Sequence, residues 1–290
     1  MFTSIALFGL GLLGGSICRR MKKMDPGVRI HAYGRHPARM EPALASRFVD
    51  SISGFDRISL AGVDLAVVST PVDSSVDIIR RILSAPDLEP GAVIIDVGSV
   101  KERIIRSING LDRAGQFIGC HPMAGSEKMG YENSRDDLFD GASVIITPHS
   151  RNRDEDISAV ARFWESLGAR TVRVSPEEHD RIVTYTSHLP HMVASSLVQV
   201  CRDFLAVHGG SARLDAFIGN GFRDTTRVAS GSPDMWRDIA VMNRANILAA
   251  MDLMIDELGS LRKALADSDG DAGVLHEYFA RAKAAREGLK

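Results

Sequence analysis

Phe8-Gly9-Leu10-Gly11-Leu12-Leu13-Gly14-Gly15-Ser16 follows the apolar run Ile5-Ala6-Leu7 and leads into a segment of helical character. A glycine at 9 permits a tight turn at a strand end, one at 11 lets the backbone approach a pyrophosphate, and one at 14 lets the helix pack close to the sheet. The unpaired N–H groups at the start of that helix then face an anion. With a strand before it and a helix after it, the stretch predicts a dinucleotide cradle at Gly9, Gly11, Leu12, Leu13 and Gly14. A purely structural glycine turn is the alternative.

At 290 residues and 44% hydrophobic, the chain has enough apolar material for two medium cores. Its formal net charge of −2 comes without a basic stripe, so neither nucleic acid nor a membrane is an expected partner and any anionic ligand must meet local arginines. Cys18, Cys120 and Cys201 lie far apart, which gives neither a disulfide framework nor a zinc site and fits the reducing cytoplasm. No window approaches the roughly 18 apolar residues of a membrane span, and the N-terminus opens on a strand-like run without an export signal.

Six short apolar or β-branched runs, 4–8, 29–33, 64–68, 92–96, 116–119 and 143–147, read as buried strands. Helical segments such as 16–23, 74–83 and 101–108 alternate with them, predicting a parallel sheet with helices on both faces, a Rossmann-like α/β domain over residues 1–174. Ligands of such sheets sit beyond the carboxyl ends of the strands. The second run ends in Gly34-Arg35, where an acid that would hold an NAD ribose is missing. Gly34 leaves room and Arg35 can pair with a 2′-phosphate, so the expected cofactor is NADP, with NAD as the alternative. The third run ends in Ser69-Thr70-Pro71 and the fourth in Asp96-Val97-Gly98-Ser99-Val100-Lys101, both near the expected nicotinamide. After the fifth stands His121, placed to act as a general base when an alcohol is oxidised, with Ser99 one strand away to orient it. The bland reading of His121 is a turn residue before Pro122.

From about Ser175 the strand-like runs stop, and residues 175–290 are expected to form an all-α domain. Residues 176–207 form one amphipathic run in which Pro190 should kink a helix at Ser187-His188-Leu189-Pro190-His191. His188 and His191 share a face, but no third metal ligand stands nearby, so a polar substrate contact is expected instead of a metal. Gly221-Phe222-Arg223-Asp224-Thr225-Thr226-Arg227, followed by Asp234-Met235-Trp236, suits carboxylate recognition, with a solvated helix face as the alternative. A helix over 239–266, rich in Ala, Leu and Met, can serve a subunit interface.

Taken together, the glycine stretch, 96–101, His121-Pro122-Met123-Ala124-Gly125-Ser126-Glu127, 187–191, 221–227 and Pro233-Asp234-Met235-Trp236 resemble the prephenate and arogenate dehydrogenases of tyrosine biosynthesis, over nearly the whole chain. The resemblance implies a Rossmann domain, a helical dimerisation domain, and NAD(P)-dependent oxidation of a ring alcohol with loss of the ring carboxylate. It also implies roles: His121 accepts the hydroxyl proton, Ser99 holds that histidine and the hydroxyl, and Arg227 clamps the ring carboxylate. Ser126, Ser187, His188, His191 and Trp236 line the pocket. Gly34-Arg35 resembles the NADP-using members. The competing readings are another NADP-dependent β-hydroxyacid or imine dehydrogenase, which would want a catalytic lysine on the helical domain, and a non-catalytic NADP-sensing regulator.

Overall fold

Strand β1 (Ser4–Phe8) is the third strand of an eight-stranded sheet in the order β3-β2-β1-β4-β5-β6-β7-β8, in a computed structural model that describes residues 2–125, 130–208, 217–267 and 273–289. The other strands are β2 (Arg29–Gly34), β3 (Ser51–Gly54), β4 (Leu65–Val68), β5 (Val93–Asp96), β6 (Phe117–Pro122), β7 (Ser143–Thr147) and β8 (Arg170–Arg173). Residues of β1, β4 and β5 point alternately into two apolar layers. Ile5, Leu7, Leu65, Val67 and Ile95 pack with Ile17 and Met21 of helix α1 (Leu12–Met24), and with Phe163 and Trp164. Ala6, Phe8, Ala66, Val68 and Ile94 face the other way, with Ile79, Ile82 and Ile104. Burial on both faces is why these strands read as continuous apolar runs instead of alternating ones.

The expected parallel sheet is corrected at one junction. Phe117 and Ile118 of β6 pair in parallel with Ile94 and Ile95, but Gly119 to Pro122 run past β5 and pair antiparallel with Thr147 to Val144. β8 then pairs in parallel with β7. The six expected strands all form, and two more appear at the sheet's edges. These were hidden because β3 is half-buried and short, while Arg170 and Arg173 of β8 are exposed; neither carries the apolar run of a central strand.

Helices α2 (Glu41–Ala45), α3 (Val72–Leu83), α4 (Glu102–Ile108) and α5 (Asp154–Ser166) belong to this layer arrangement. The expected kinked helix after Ser175 is resolved into α6 (Pro176–Val183), a π-helical turn Thr184–His188, and α7 (Leu189–His208). Pro190 has no N–H to give to residue 186, and the wider π-helical turn lies just ahead of it. There follow α8 (Asn220–Thr226), a 3₁₀ turn Arg227–Ser230, and α9 (Pro233–Met242).

The helix expected over 239–266 is broken at Asn243, which leaves helical geometry at φ −108° and ψ 27°. One compact unit ends at that residue, and a second runs from Arg244 to the C-terminus, made of α10 (Arg244–Asp267) and α11 (Gly273–Gly288). These two helices expose Leu253, Ile255, Leu258, Leu265 and Phe279, each more than half accessible. Among the described residues no helix is long and apolar enough to cross a membrane.

Candidate active site

The cradle is built as its glycines require. Gly9 adopts φ +93°, and a side-chain carbon there would lie 2.7 Å from the Ser69 carbonyl oxygen and 3.0 Å from Thr70 Cγ2. At Gly14 it would strike the Gly9 carbonyl and Ser69 Oγ, so this glycine lets α1 sit against the end of β4. Gly11 differs, because a carbon added there meets nothing within 4 Å. It is the N-cap of α1 and supplies no side-chain cap, so the helix N–H groups remain for a ligand. Leu12 and Leu13 open the helix and pack against the core. The Ser69 N–H donates to the Phe8 carbonyl at 2.7 Å, Thr70 Oγ1 lies 3.2 Å from Ser75 Oγ, and Pro71 caps α3. An uncapped helix end over an open glycine fits a pyrophosphate.

At the end of β2, Gly34 is packed more tightly than the sequence implied. A side-chain carbon there would come within 2.9 Å of Met40 Sδ, the mobile end of a flexible side chain that can move aside. Arg35 is exposed.

His121 lies within β6, on the part that outruns β5, and is 8% exposed. Its Nδ1 is 2.9 Å from Nε2 of His179. His179 Nδ1 is in turn 2.7 Å from Asp180 Oδ1. Asp180 also accepts the backbone N–H groups of Lys101, at 2.8 Å, and Glu102, at 3.0 Å, at the start of α4. All three side chains are buried. A carboxylate only accepts, so His179 Nδ1 carries a proton and, in the neutral ring, its Nε2 is a lone pair. His121 Nδ1 must then be the donor between the two rings, which leaves the lone pair of His121 on Nε2. Burial, with the neighbouring His179, Lys101 and His188, holds the His121 imidazole well below its usual range. The arrangement presents a neutral acceptor that can take a hydroxyl proton.

A buried ion pair ties the strand ends together. Asp96 and Lys101 are both inaccessible and bonded to each other. Asp96 also accepts the N–H of Gly98, beside Ser99, at 3.0 Å and that of Cys120, beside His121, at 3.1 Å. One carboxylate thus grips the backbone next to both residues. Removing either partner would strand a buried charge, at a cost of about 3–5 kcal/mol. Ser99 itself is half-buried, and the His121 ring donates from its Nδ1 to Nε2 of His179.

On the helical side, His188 and His191 are buried, and His191 stacks on Trp236 with ring centroids 3.5 Å apart and planes 9° apart. His188 meets the same indole edge-on at 6.1 Å. Burial pushes both imidazoles down, His188 to about 4. Ser187 sits half-buried in the π-helical turn. Arg227 is exposed on the 3₁₀ turn whose Val228 carbonyl bonds His191, which brings it beside this cluster. Ser126 lies outside the described residues. Sequence reasoning missed His179, Asp180 and Asn243. The one available signal was a His-Asp pair, His179-Asp180, in the first helix after the change of texture.

Comparisons with known proteins identify the family. The sequence model of the prephenate dehydrogenase nucleotide-binding domain matches residues 17–173, and that of the prephenate dehydrogenase dimerization domain matches residues 175–281. The chain is 34% identical over its full length to a prephenate dehydrogenase of Bacillus subtilis, covering 76% of that protein. It is 32% identical over its full length to a cyclohexadienyl dehydrogenase of Zymomonas mobilis, covering 97% of it. Among solved structures, prephenate dehydrogenase from A. aeolicus in complex with hydroxyphenyl propionate and NAD+ superposes with a TM-score of 0.87 at 30% identity, covering 100% of this chain and 99% of that one. Arogenate dehydrogenase from Synechocystis superposes with a TM-score of 0.79 at 26% identity, covering 99% and 100%. With both domain models matched in succession and relatives of 30% identity or more along its full length, the chain belongs to the prephenate dehydrogenase family, the dehydrogenases of tyrosine biosynthesis.

Proposed function

We propose that the protein oxidises and decarboxylates prephenate or arogenate, giving 4-hydroxyphenylpyruvate or tyrosine, with NADP as the preferred cofactor and NAD as the alternative. The observation that carries the reading is the line from Asp180 through His179 to His121, which leaves a neutral acceptor nitrogen in a buried site. A passive nucleotide sensor has no use for such a group.

Gly9, Gly11, Leu12, Leu13, Gly14, Ser69, Thr70 and Pro71 would hold the dinucleotide, whose nicotinamide supplies a hydride acceptor when bound. His121 takes the proton of the ring hydroxyl as the carbinol carbon is oxidised, and Ser99 holds that hydroxyl. The imidazolium that forms is stabilised through His179 by the Asp180 carboxylate. Arg227 binds the ring carboxylate until the C–C bond breaks and carbon dioxide leaves. The electron pair of that bond flows into the ring and onto the new carbonyl oxygen, and the proton on His121 returns there to give the phenol. The proton is borrowed, and substrate plus oxidised cofactor yield phenol, carbon dioxide and reduced cofactor with no net proton release. Ser187, His191 and Trp236 would line the substrate pocket, and the family resemblance assigns Ser126 to it as well.

The NADP preference rests on Arg35, an exposed guanidinium at the end of β2 where an acid would select NAD. The A. aeolicus relative was solved with NAD+. We infer a homodimer through the helical domain, from the dimerization-domain match and the exposed apolar residues of α10 and α11, and a cytoplasmic setting, from three free cysteines, Cys18, Cys120 and Cys201. The proposed two-domain division at 174/175 is supported by the junction between the two matched models, with the first helices of the second domain packed into the compact unit that runs to Asn243. The test is an assay of prephenate and arogenate against NADP and NAD. Turnover of at least one substrate, faster with NADP, is expected; no turnover in any of the four combinations would overturn the reading.

A further inference from the structure

His188 is 1% exposed, and its Nε2 has no hydrogen-bond partner among the described residues. Its Nδ1 lies 3.0 Å from Nδ2 of Asn243. The same amide nitrogen is 3.0 Å from the Asp180 main-chain carbonyl and 2.8 Å from Thr184 Oγ1. A carbonyl can only accept, so the face of the amide turned to it must be the NH₂. Two amide protons are shared among these three contacts, and an amide NH₂ cannot accept, so a proton on His188 Nδ1 would have no acceptor there; in a neutral ring the single proton is then on Nε2. His121 and His188 are thus fixed in opposite senses: one offers a lone pair and the other an N–H. A buried N–H with no partner is costly unless a ligand supplies the acceptor.

The chemistry of that acceptor follows from the surroundings. A neutral N–H needs an oxygen acceptor, and of the side-chain groups the carboxylate is common to both substrates while the keto oxygen is the acceptor that only the 2-oxo acid carries. An ammonium brings only donors and needs an acceptor or a carboxylate, and the carboxylate felt at His188 is Asp180, whose oxygens already accept His179 Nδ1 and the N–H groups of Lys101 and Glu102. We propose that Asn243 locks His188 as an N–H donor for the keto oxygen on the substrate's side chain, so that the site takes the 2-oxo acid prephenate in preference to the 2-amino acid arogenate. This rests on the dehydrogenase reading above, with Asn243 as a positioning residue and His188 as the contact.

The test combines a spectrum with a substrate comparison. ¹⁵N spectra of histidine-labelled wild-type protein should show His188 protonated on Nε2, and kcat/KM should favour prephenate. Asn243→Ala should mix the two tautomers and lower kcat/KM for prephenate by about three- to tenfold, mainly through KM, while that for arogenate stays within about twofold. His188→Gln, which keeps an N–H donor, should retain the preference, and His188→Leu should lose it. Protonation on Nδ1, a wild-type preference for arogenate, or an equal loss for both substrates in Asn243→Ala would overturn the proposal. If Asn243→Ala does not fold, the wild-type spectrum and the His188 pair decide. Absence of turnover with either substrate would instead strike the dehydrogenase reading, and the spectrum would still report on the tautomer.

Discussion

His121 derives its proposed role from groups that stand far from it in the chain. The sequence marked it as a histidine after a strand, and left open whether it was a base or a turn residue. What distinguishes the two is His179, 58 positions away and bonded to its Nδ1, together with the Asp180 that orients His179. Contacts of that range leave no local signature, which is why Ser99, the nearer polar residue, drew the positioning role. Because a base must be unprotonated, activity should fall as pH drops through the His121 pKa. That pKa is held well below 6.5 by burial and by positive or titrating neighbours. The acid limb of kcat/KM against pH should therefore lie below 6.5, with a plateau through neutrality; a limb centred above 6.5 would place a different group in the role. Arg227→Gln should raise KM by the ~1.5–3 kcal/mol of a hydrogen bond to a charged group, roughly 10- to 150-fold. An unchanged KM would mean that the carboxylate is held elsewhere.

Among the elements, the junction of β1 and α1 was the most legible part of the molecule. Its glycines answer to steric rules that act over a few residues, and each has a separate job. Gly9 and Gly14 are closed off by Ser69 and the local backbone, whereas Gly11 faces open space. Gly11→Ala should therefore fold with nearly wild-type melting behaviour yet weaken cofactor binding, while Gly9→Ala should destabilise, since it combines φ +93° with a clash against the Ser69 carbonyl. Calorimetric binding beside thermal melting separates the two; equal cofactor affinity in Gly11→Ala and wild type would move the pyrophosphate away from this helix end. Less legible were the edge strands β3 and β8 and the reversal at β6/β7. Edge strands need bury only part of one face, so they lack apolar runs, and strand direction is set by how the chain crosses between strands instead of by composition.

For the whole molecule, the change of texture near Ser175 marks a change of secondary structure more than an end to packing. Helices α6 to α9 stay within the unit that contains the sheet, where Trp236 and Ile239 pack with Val72, Ile78 and Ile104, and that unit closes at Asn243. Composition reports where strands stop, but only the fold reports where the core stops. The buried, neutral histidines also give the unit a pH-dependent stability. His188 is pushed down to about 4 from 6.5, so the unfolded chain binds its proton first on acidification. The associated stability is fully present above pH 6.5 and is lost as pH falls towards 4, on the order of 3 kcal/mol for this group. Melting temperature should be flat from neutrality down to about 6.5 and then decline, and His188→Gln should blunt that decline; an equally steep fall in the variant would assign it to other groups.

The most direct measurement of the central claim is a single-turnover comparison of wild-type protein and His121→Asn, each saturated with NADP and mixed with prephenate or arogenate, following reduced cofactor and carbon dioxide together. Wild type should release one carbon dioxide for each cofactor reduced, and His121→Asn should do so ~10²–10⁴-fold more slowly while binding NADP with unchanged affinity. A variant that keeps the wild-type rate would show that the proton goes elsewhere and would contradict the account.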